Sequence, residues 1–470
     1  MKKYRFLVLA ALCLLFVIAS AGRSGTPISQ DEAALNYQHW ANLYGVDNSI
    51  GGQGYVPARI RQTSDGGFVI GLYVWTSSSS NYNEQMIVLK LDAFGRVLWA
   101  TAPLSCGDNG ECTVEALAVL SDGRIAVLAK YLYCGYESTD GYLVLMMLGP
   151  DGSFQWTKTF LGTFYAEGYY DLQPAPKGAM LIAGATKQGH WVARLNSTGK
   201  ITWQARLDAA IYSLQQTSDG GFIAAGITGG LPEDATGDAW IAKFDALGGI
   251  TWQKAIGDHA AADYFHRVVI MGDGYVAAGE TRGLGAAERD AWLIRFDLSG
   301  RVRWQHALGR ASTSGISASS IARLHDGGIL VCGGVHSFSD SSSFGYALKL
   351  NALGNVVWQR RYPASMCDGI ELASGDLVLT GEQIIGGTCW QPESPHIRYL
   401  FAGRLDAAGR IGAGCCLISA ADLVMRKTLA APRGTQFATI HSPASVRDMV
   451  PTDPGYRSST RTAVCQADVR

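Results

Sequence analysis

The sequence predicts an all-β fold, a seven-bladed β-propeller of four-stranded blades, and three observations carry that prediction. One unit recurs along the chain: an Asp-Gly turn, an apolar strand, a second strand ending in Leu/Phe-Asp/Asn, a Gly turn and a tryptophan. The tryptophans, Trp40, Trp99, Trp156, Trp203, Trp252, Trp304 and Trp358, stand 47 to 59 residues apart, which suits a four-stranded blade with loops of variable length. The chain has 470 residues, beyond the roughly 250–300 at which single cores stop growing, and a repeat architecture accounts for that length without a linker.

The clearest copies are QTSDGGFVIG from Gln62 with LKLDAFGRVLW ending at Trp99, and QTSDGGFIAAG from Gln216 with AKFDALGGITW ending at Trp252. Runs of Val, Ile, Leu and Phe follow each turn with frequent alternation and are bracketed by Gly, Asp or Ser, a strand signal. Further turns are SDGR at Ser121, GDGY at Gly272, HDGG at His325 and SGD at Ser374, while the third unit keeps only PKG at Pro176. The last unit ends in GRLDAAGRIGAG with no tryptophan, and NYQHWANLYG, Asn36 to Gly45, has a tryptophan strand with no inner strands before it. An N-terminal strand is therefore expected to complete the seventh blade, closing the ring and removing open sheet edges.

Three regions follow. Residues 1–21 combine Met-Lys-Lys-Tyr-Arg, an apolar run from Phe6 to Ile18 and Ala19-Ser20-Ala21, the parts of a signal peptide. The run falls short of the ~20 apolar residues of a membrane span, so a secreted protein, extracellular or periplasmic, without a membrane span is expected. Residues 22–411 form the propeller, and residues 412–470, which lose the repeat, are expected to be a disulfide-stapled C-terminal cap or extension on the last blade. Loss of the leader takes the formal charge from −1 to −4, and neither value favours a nucleic-acid partner.

Nine cysteines remain after the leader, and an exported chain makes bridges expected. Cys112 with Cys134, and Cys367 with Cys389, occupy nearly equivalent places in blades two and seven, each pair 22 residues apart. Bridges Cys112–Cys134 and Cys367–Cys389 are predicted, with Cys106 as a competitor for Cys112. Either Cys415 or Cys416 is expected to staple the tail to Cys465. Cys332, inside ILVCGG, is the candidate for a buried free thiol.

In such a blade the first and third turns share one face and here are short and uniform. The variable loops belong to the other face: TSSSSNYNEQ from Thr76, GGLPEDATGD from Gly229, RGLGAAERD from Arg282, SFSDSSSF from Ser337 and GGTCWQPESPHIR from Gly386. Variation on one face of a rigid ring is how such scaffolds present a binding surface. The binding-face candidates are Asp234, Asp238, Asp263, His266, Asp290 and Trp390. Asp140-Gly141-Tyr142, Asp238-Ala239-Trp240 and Asp290-Ala291-Trp292 open third strands, either as a carboxylate ring for cations or sugars or as caps for loop amides. Their recurrence favours caps. His259, Asp263 and His266 fall together in GDHAAADYFHRVV but lack a zinc-motif spacing, and no nucleophile or phosphate-binding motif has its proper context. Neither metal nor cofactor is expected.

The pattern SDGGF-x3-G followed by DAWIAKFDALGGITWQKAIG resembles, over roughly residues 36–410, the secreted bacterial and archaeal repeat propellers grouped with WD40-like and quinoprotein-like propellers. That resemblance implies the fold, which hosts binders and enzymes alike. The functional expectation is a non-catalytic binding or assembly module at the cell envelope, acting on a protein or carbohydrate through its long-loop face. The alternative is a propeller enzyme, either a quinoprotein-like dehydrogenase or a glycan hydrolase or lyase. Against the former, the turn Asp245-Ala246-Leu247-Gly248 is one residue shorter than the quinoprotein docking turn, Cys415-Cys416 lies outside the blades, and seven units replace that class's eight.

Overall fold

The computed structural model describes residues 6–9, 39–46, 53–77, 82–104, 110–133, 141–160, 170–186, 189–228, 237–257, 262–283, 289–309, 314–337, 343–362, 364–385, 397–411, 419–420, 424–427, 433–434 and 446–447. They form seven antiparallel blades, each with its first strand innermost. Blade one is Gln53–Gln62, Phe68–Ser77, Tyr82–Leu91 and Val97–Thr101; blade two is Gly110–Val119, Ile125–Tyr133, Gly141–Leu148 and Phe154–Phe160. Blade three is Asp171–Pro174, Met180–Thr186, Gly189–Leu195 and Ile201–Leu207; blade four is Ala209–Gln216, Phe222–Thr228, Ala239–Phe244 and Ile250–Ile256. Blade five is Tyr264–Met271, Gly274–Thr281, Asp290–Asp297 and Val302–Gly309; blade six is Ser314–Arg323, Ile329–Ser337, Ser343–Leu350 and Val356–Tyr362. Blade seven takes Ser365–Glu371, Leu377–Ile385 and Ile397–Leu405 from one end of the chain and Trp40–Val46 from the other.

The ring closes as expected: Trp40–Val46 pairs antiparallel with Ile397–Leu405, Trp40 opposite Arg404 and Tyr44 opposite Leu400. Phe6–Leu9 adds a further strand outside Trp40–Val46. Within 412–470, Ser419–Ala420, Val424–Lys427, Arg433–Gly434 and Val446–Arg447 pair in turn with the outer strands of blades six, five, four and two. The described strands of this segment thus run back along the rim and cover sheet edges that would otherwise invite pairing with other chains.

Both turn types owe their shape to one carboxylate or amide. At the third turns, Asp92 Oδ1 accepts the N–H of Phe94 and of Arg96 at 2.9 and 2.8 Å, and Asn196, Asp245, Asp297, Asn351 and Asp406 repeat the pattern. Asp and Asn interchange there because the turn's own N–H groups need only Oδ1; the second oxygen of Asp92 and of Asp406 accepts from Arg96 and Arg410 instead. At the first turns, Asp65 accepts the Gly67 N–H and pairs with Lys90 Nζ at 2.9 Å. Asp219–Lys243, Asp326–Lys349, Asp376–Arg404 and Asp273–Arg295 are the same pair in blades four, six, seven and five. The basic residue always stands two places before the Asp or Asn of the third turn.

Seven apolar clusters fill the spaces between adjacent blades, so each blade buries both of its faces. Trp240 and Trp292, which follow the third-strand aspartates, are fully buried in two of them.

Candidate functional site

The first strands surround the axis. In blades one, two, four, five, six and seven the pairing of first with second strand slips by one residue midway, at Pro57/Arg59, Val114/Ala116, Ile211/Ser213, Phe265/Arg267, Ala318/Ser320 and Met366/Asp368. Such bulges re-aim side chains. The residues just past them, Arg59, Ser213, Arg267, Ser320 and Asp368, join Asp171 of blade three around a cavity of about 250 Å3. Arg61, Gln173, Gln215 and Arg323 complete its polar lining. All of these lie in the later part of their first strands or in the short strand of blade three, so the cavity occupies the half of the channel nearer the short turns.

The carboxylates of the cavity fasten one blade to the next. Asp368 Oδ1 accepts from Ser320 Oγ of blade six at 2.6 Å, and its Oδ2 accepts from the Ile60 N–H at 3.1 Å and Arg61 Nη1 at 3.0 Å in blade one. Asp171 accepts the Leu214 N–H of blade four at 2.9 Å and the N–H of Leu172. Burial pushes the Asp171 carboxyl up, opposed by the charges of Arg59 and Arg61 and by these two N–H donors. Ser213 Oγ accepts the Val268 N–H at 3.2 Å, Gln215 Oε1 accepts the Ile270 N–H at 3.0 Å, and Arg267 Nη1 donates back to Tyr212 O at 3.1 Å, which joins blades four and five. Sequence reading missed this ring because the equivalent place carries Arg, Asp or Ser from blade to blade and so forms no repeat.

The candidates named from sequence fall elsewhere. Asp238 and Asp263 are buried, and both carboxylates lie against Gly257. Asp290, also buried, flanks Gly309 in the same way. All three are enclosed by the blades rather than displayed. His266 sits at the blade-five bulge, its Nε2 3.3 Å from Glu280 Oε1, within a cluster completed by Tyr264 and Arg289. Burial alone would raise the Glu280 carboxyl, but the hydrogen bond and charge of His266, the charge of Arg289 and the Tyr264 hydroxyl outweigh it and hold it at about 2. Asp234, Trp390, Cys106, Cys134, Cys389, Cys415, Cys416, Cys465 and His259 lie outside the described residues.

Cys112 is buried and disulfide-bonded. Cys332 is a buried free thiol, as expected, whereas Cys367 is a half-buried free one whose Sγ donates to Ser365 O at 3.7 Å, so the expected Cys367–Cys389 bridge is not formed. Among the described residues no three His, Cys, Asp or Glu side chains converge as metal ligands, and no helix is long and apolar enough to cross a membrane.

Fold and channel together define a β-propeller closed by its own N-terminal strand. Among solved structures the chain is similar to a protein of unknown function from Dyadobacter fermentans, with 13% identity, a TM-score of 0.46, and coverage of 76% of this chain and 96% of that one. It is also similar to the β-propeller domain of the Trilobed protease from Pyrococcus furiosus, with 8% identity, a TM-score of 0.42, and coverage of 77% and 99%. A protein of unknown function from Bacteroides caccae matches with 14% identity and a TM-score of 0.34 over 66% and 93%. No protein-family profile and no curated protein matches the sequence.

Proposed function

We propose that this protein is a non-catalytic binding or assembly module of the cell envelope, and that it engages a protein or carbohydrate through the face from which its long connections leave. The observation that carries this reading is the inequality of the two faces. Third turns in all seven blades and first turns in five repeat one hydrogen-bond pattern, as in Gly66 N to Thr63 O at 3.0 Å and Gly220 N to Thr217 O at 3.1 Å. Segments joining second to third strands vary instead from two residues, 187–188 in blade three, to eleven, 386–396 in blade seven. A rigid ring with length variation confined to one side suits recognition. The leader-like residues 1–21 support export, and a bridge from the disulfide-bonded Cys112 to Cys134 would brace one of the variable segments.

Replacing residues 229–236 or 386–396 by a two-residue connection tests the reading. Loss of capture by the cell-envelope fraction, with unchanged circular dichroism and melting, is expected. Undiminished capture after both replacements would contradict it. Capture abolished by prior polysaccharide digestion would assign the partner to the carbohydrate class.

A further inference from the structure

We propose that the axial cavity is a binding site for a small dianion bearing carboxylate or phosphate groups, separate from the long-connection face. Four guanidinium groups, Arg59, Arg61, Arg267 and Arg323, line it against two carboxylates, Asp171 and Asp368, an excess of two positive charges. Both carboxylates are already committed to holding neighbouring blades. The guanidiniums are not all used up in this way. Arg61 donates only through Nη1, to Ile60 O at 2.7 Å and to Asp368. Arg267 likewise donates only through Nη1, to Tyr212 O and to His266 O. The Nε and Nη2 donors of both therefore have no acceptor among the described residues, and the Arg323 guanidinium makes no hydrogen bond to them.

A planar guanidinium with spare paired donors matches the two oxygens of a carboxylate or phosphate. Asp171 and Asp368 offset two of the four cations, and a bound anion would relieve the repulsion that remains. The volume of about 250 Å3 is below the roughly 300–1,000 Å3 of drug-sized sites, which limits the ligand to a small molecule. Ser213, Ser320 and Gln215 add hydroxyl and amide groups around the charge. Arg323 is exposed at the end of its strand, at the short-turn mouth, and acts as a like charge on Arg295 of blade five. A positive rim on a narrow channel draws anions inward.

Calorimetric titration of the purified protein with succinate and, separately, with inorganic phosphate, at ionic strength fixed with sodium chloride, tests the proposal. Saturable 1:1 binding of at least one probe is expected, and the stronger of the two identifies the oxyanion class. Arg323→Gln leaves every inter-blade hydrogen bond in place and is expected to weaken that binding about tenfold with an unchanged melting temperature. Arg410→Gln, which alters an exposed cation on a turn of blade seven, should leave binding intact. Absence of saturable binding by both probes, or equal affinity in Arg323→Gln and the parent protein, would overturn the assignment.

Discussion

The indole of Trp252 in blade four lies against Gly300 of blade five, where a Cβ would come within 2.8 Å of the ring, and its Nε1 donates to Leu298 O at 3.1 Å. The same packing of indole on glycine runs around the molecule: Trp40 on Gly95, Trp99 on Gly152, Trp156 on Gly199, Trp203 on Gly248, Trp304 on Gly354 and Trp358 on Gly409. Every one of these tryptophans except Trp40 stands four residues after one of these glycines, yet all seven pack on the glycine of the following blade. The clasp is thus a contact between blades, and the link from Trp40 to Gly95 carries it across the chain ends.

Gly300 has φ of +79° and a crowded Cβ position, whereas Gly327 has φ of +78° with open space around it. Gly327→Ala should therefore cost about 1 kcal/mol, for the backbone alone. Gly300→Ala must in addition displace the indole and should cost about 2–4 kcal/mol. Urea unfolding of the two variants checks the difference.

Trp40 belongs to the strand that closes the ring and donates through Nε1 to Ala93 O at 3.1 Å. Trp40→Ala should cost about 3–5 kcal/mol, as much as truncating a tryptophan in mid-chain, because blades seven and one meet there. An effect under 1 kcal/mol in urea unfolding would mean that the N-terminal strand contributes little to closure.

Glu280 is held at about 2 in the folded protein, below its ordinary 4.5. A depressed carboxyl stabilises the fold at pH above its unfolded value, and that contribution is lost as pH falls from about 4.5 toward 2. Glu280→Gln should lower stability at pH 7 by about 2 kcal/mol and flatten the decline between those two pH values. Urea midpoints from pH 6 to pH 2 give both readings. Asp219, held at about 2 by the Lys243 and Thr217 hydrogen bonds, declines over a similar window, but its exposure keeps the contribution below about 1 kcal/mol.

Burial pushes the Cys332 thiol up, and its sulfur packs close to Gly369 of the next blade. Thiol reagents should leave Cys332 unmodified in the native protein and label it fully in denaturant, as peptide mapping will record. Native labelling at a rate near that of a free peptide thiol would contradict its placement between blades six and seven.

Blade number, ring closure and the buried state of Cys332 were legible because turn residues and apolar runs recur at fixed offsets. Partners across blades were not. The basic residue in LKLD, AKFD, IRFD, LKLN and GRLD recurs visibly, but its partner is the Asp of the preceding turn, reached only when the strands align. Asp238, Asp263 and Asp290 looked like face residues because they border variable loops, yet strand ends turn them inward. The axial cavity left no repeat: Arg59, Asp171, Ser213, Arg267, Ser320 and Asp368 share a place and not a chemistry, and a bulge breaks the period beside most of them.

The most direct test of the proposed function places a photo-cross-linking residue at Glu233 or Pro392, among the variable connections, or at Lys177 or Leu247 on the short-turn face, and exposes each variant to the cell-envelope fraction. The account predicts specific adducts from Glu233 and Pro392 and none from Lys177 or Leu247. Leu247 is 79% exposed, and Leu298 and Leu353 are comparably bare at equivalent turns, so the second pair is a demanding comparison. Adducts from Lys177 and Leu247 alone would place the interaction on the uniform face and contradict the account.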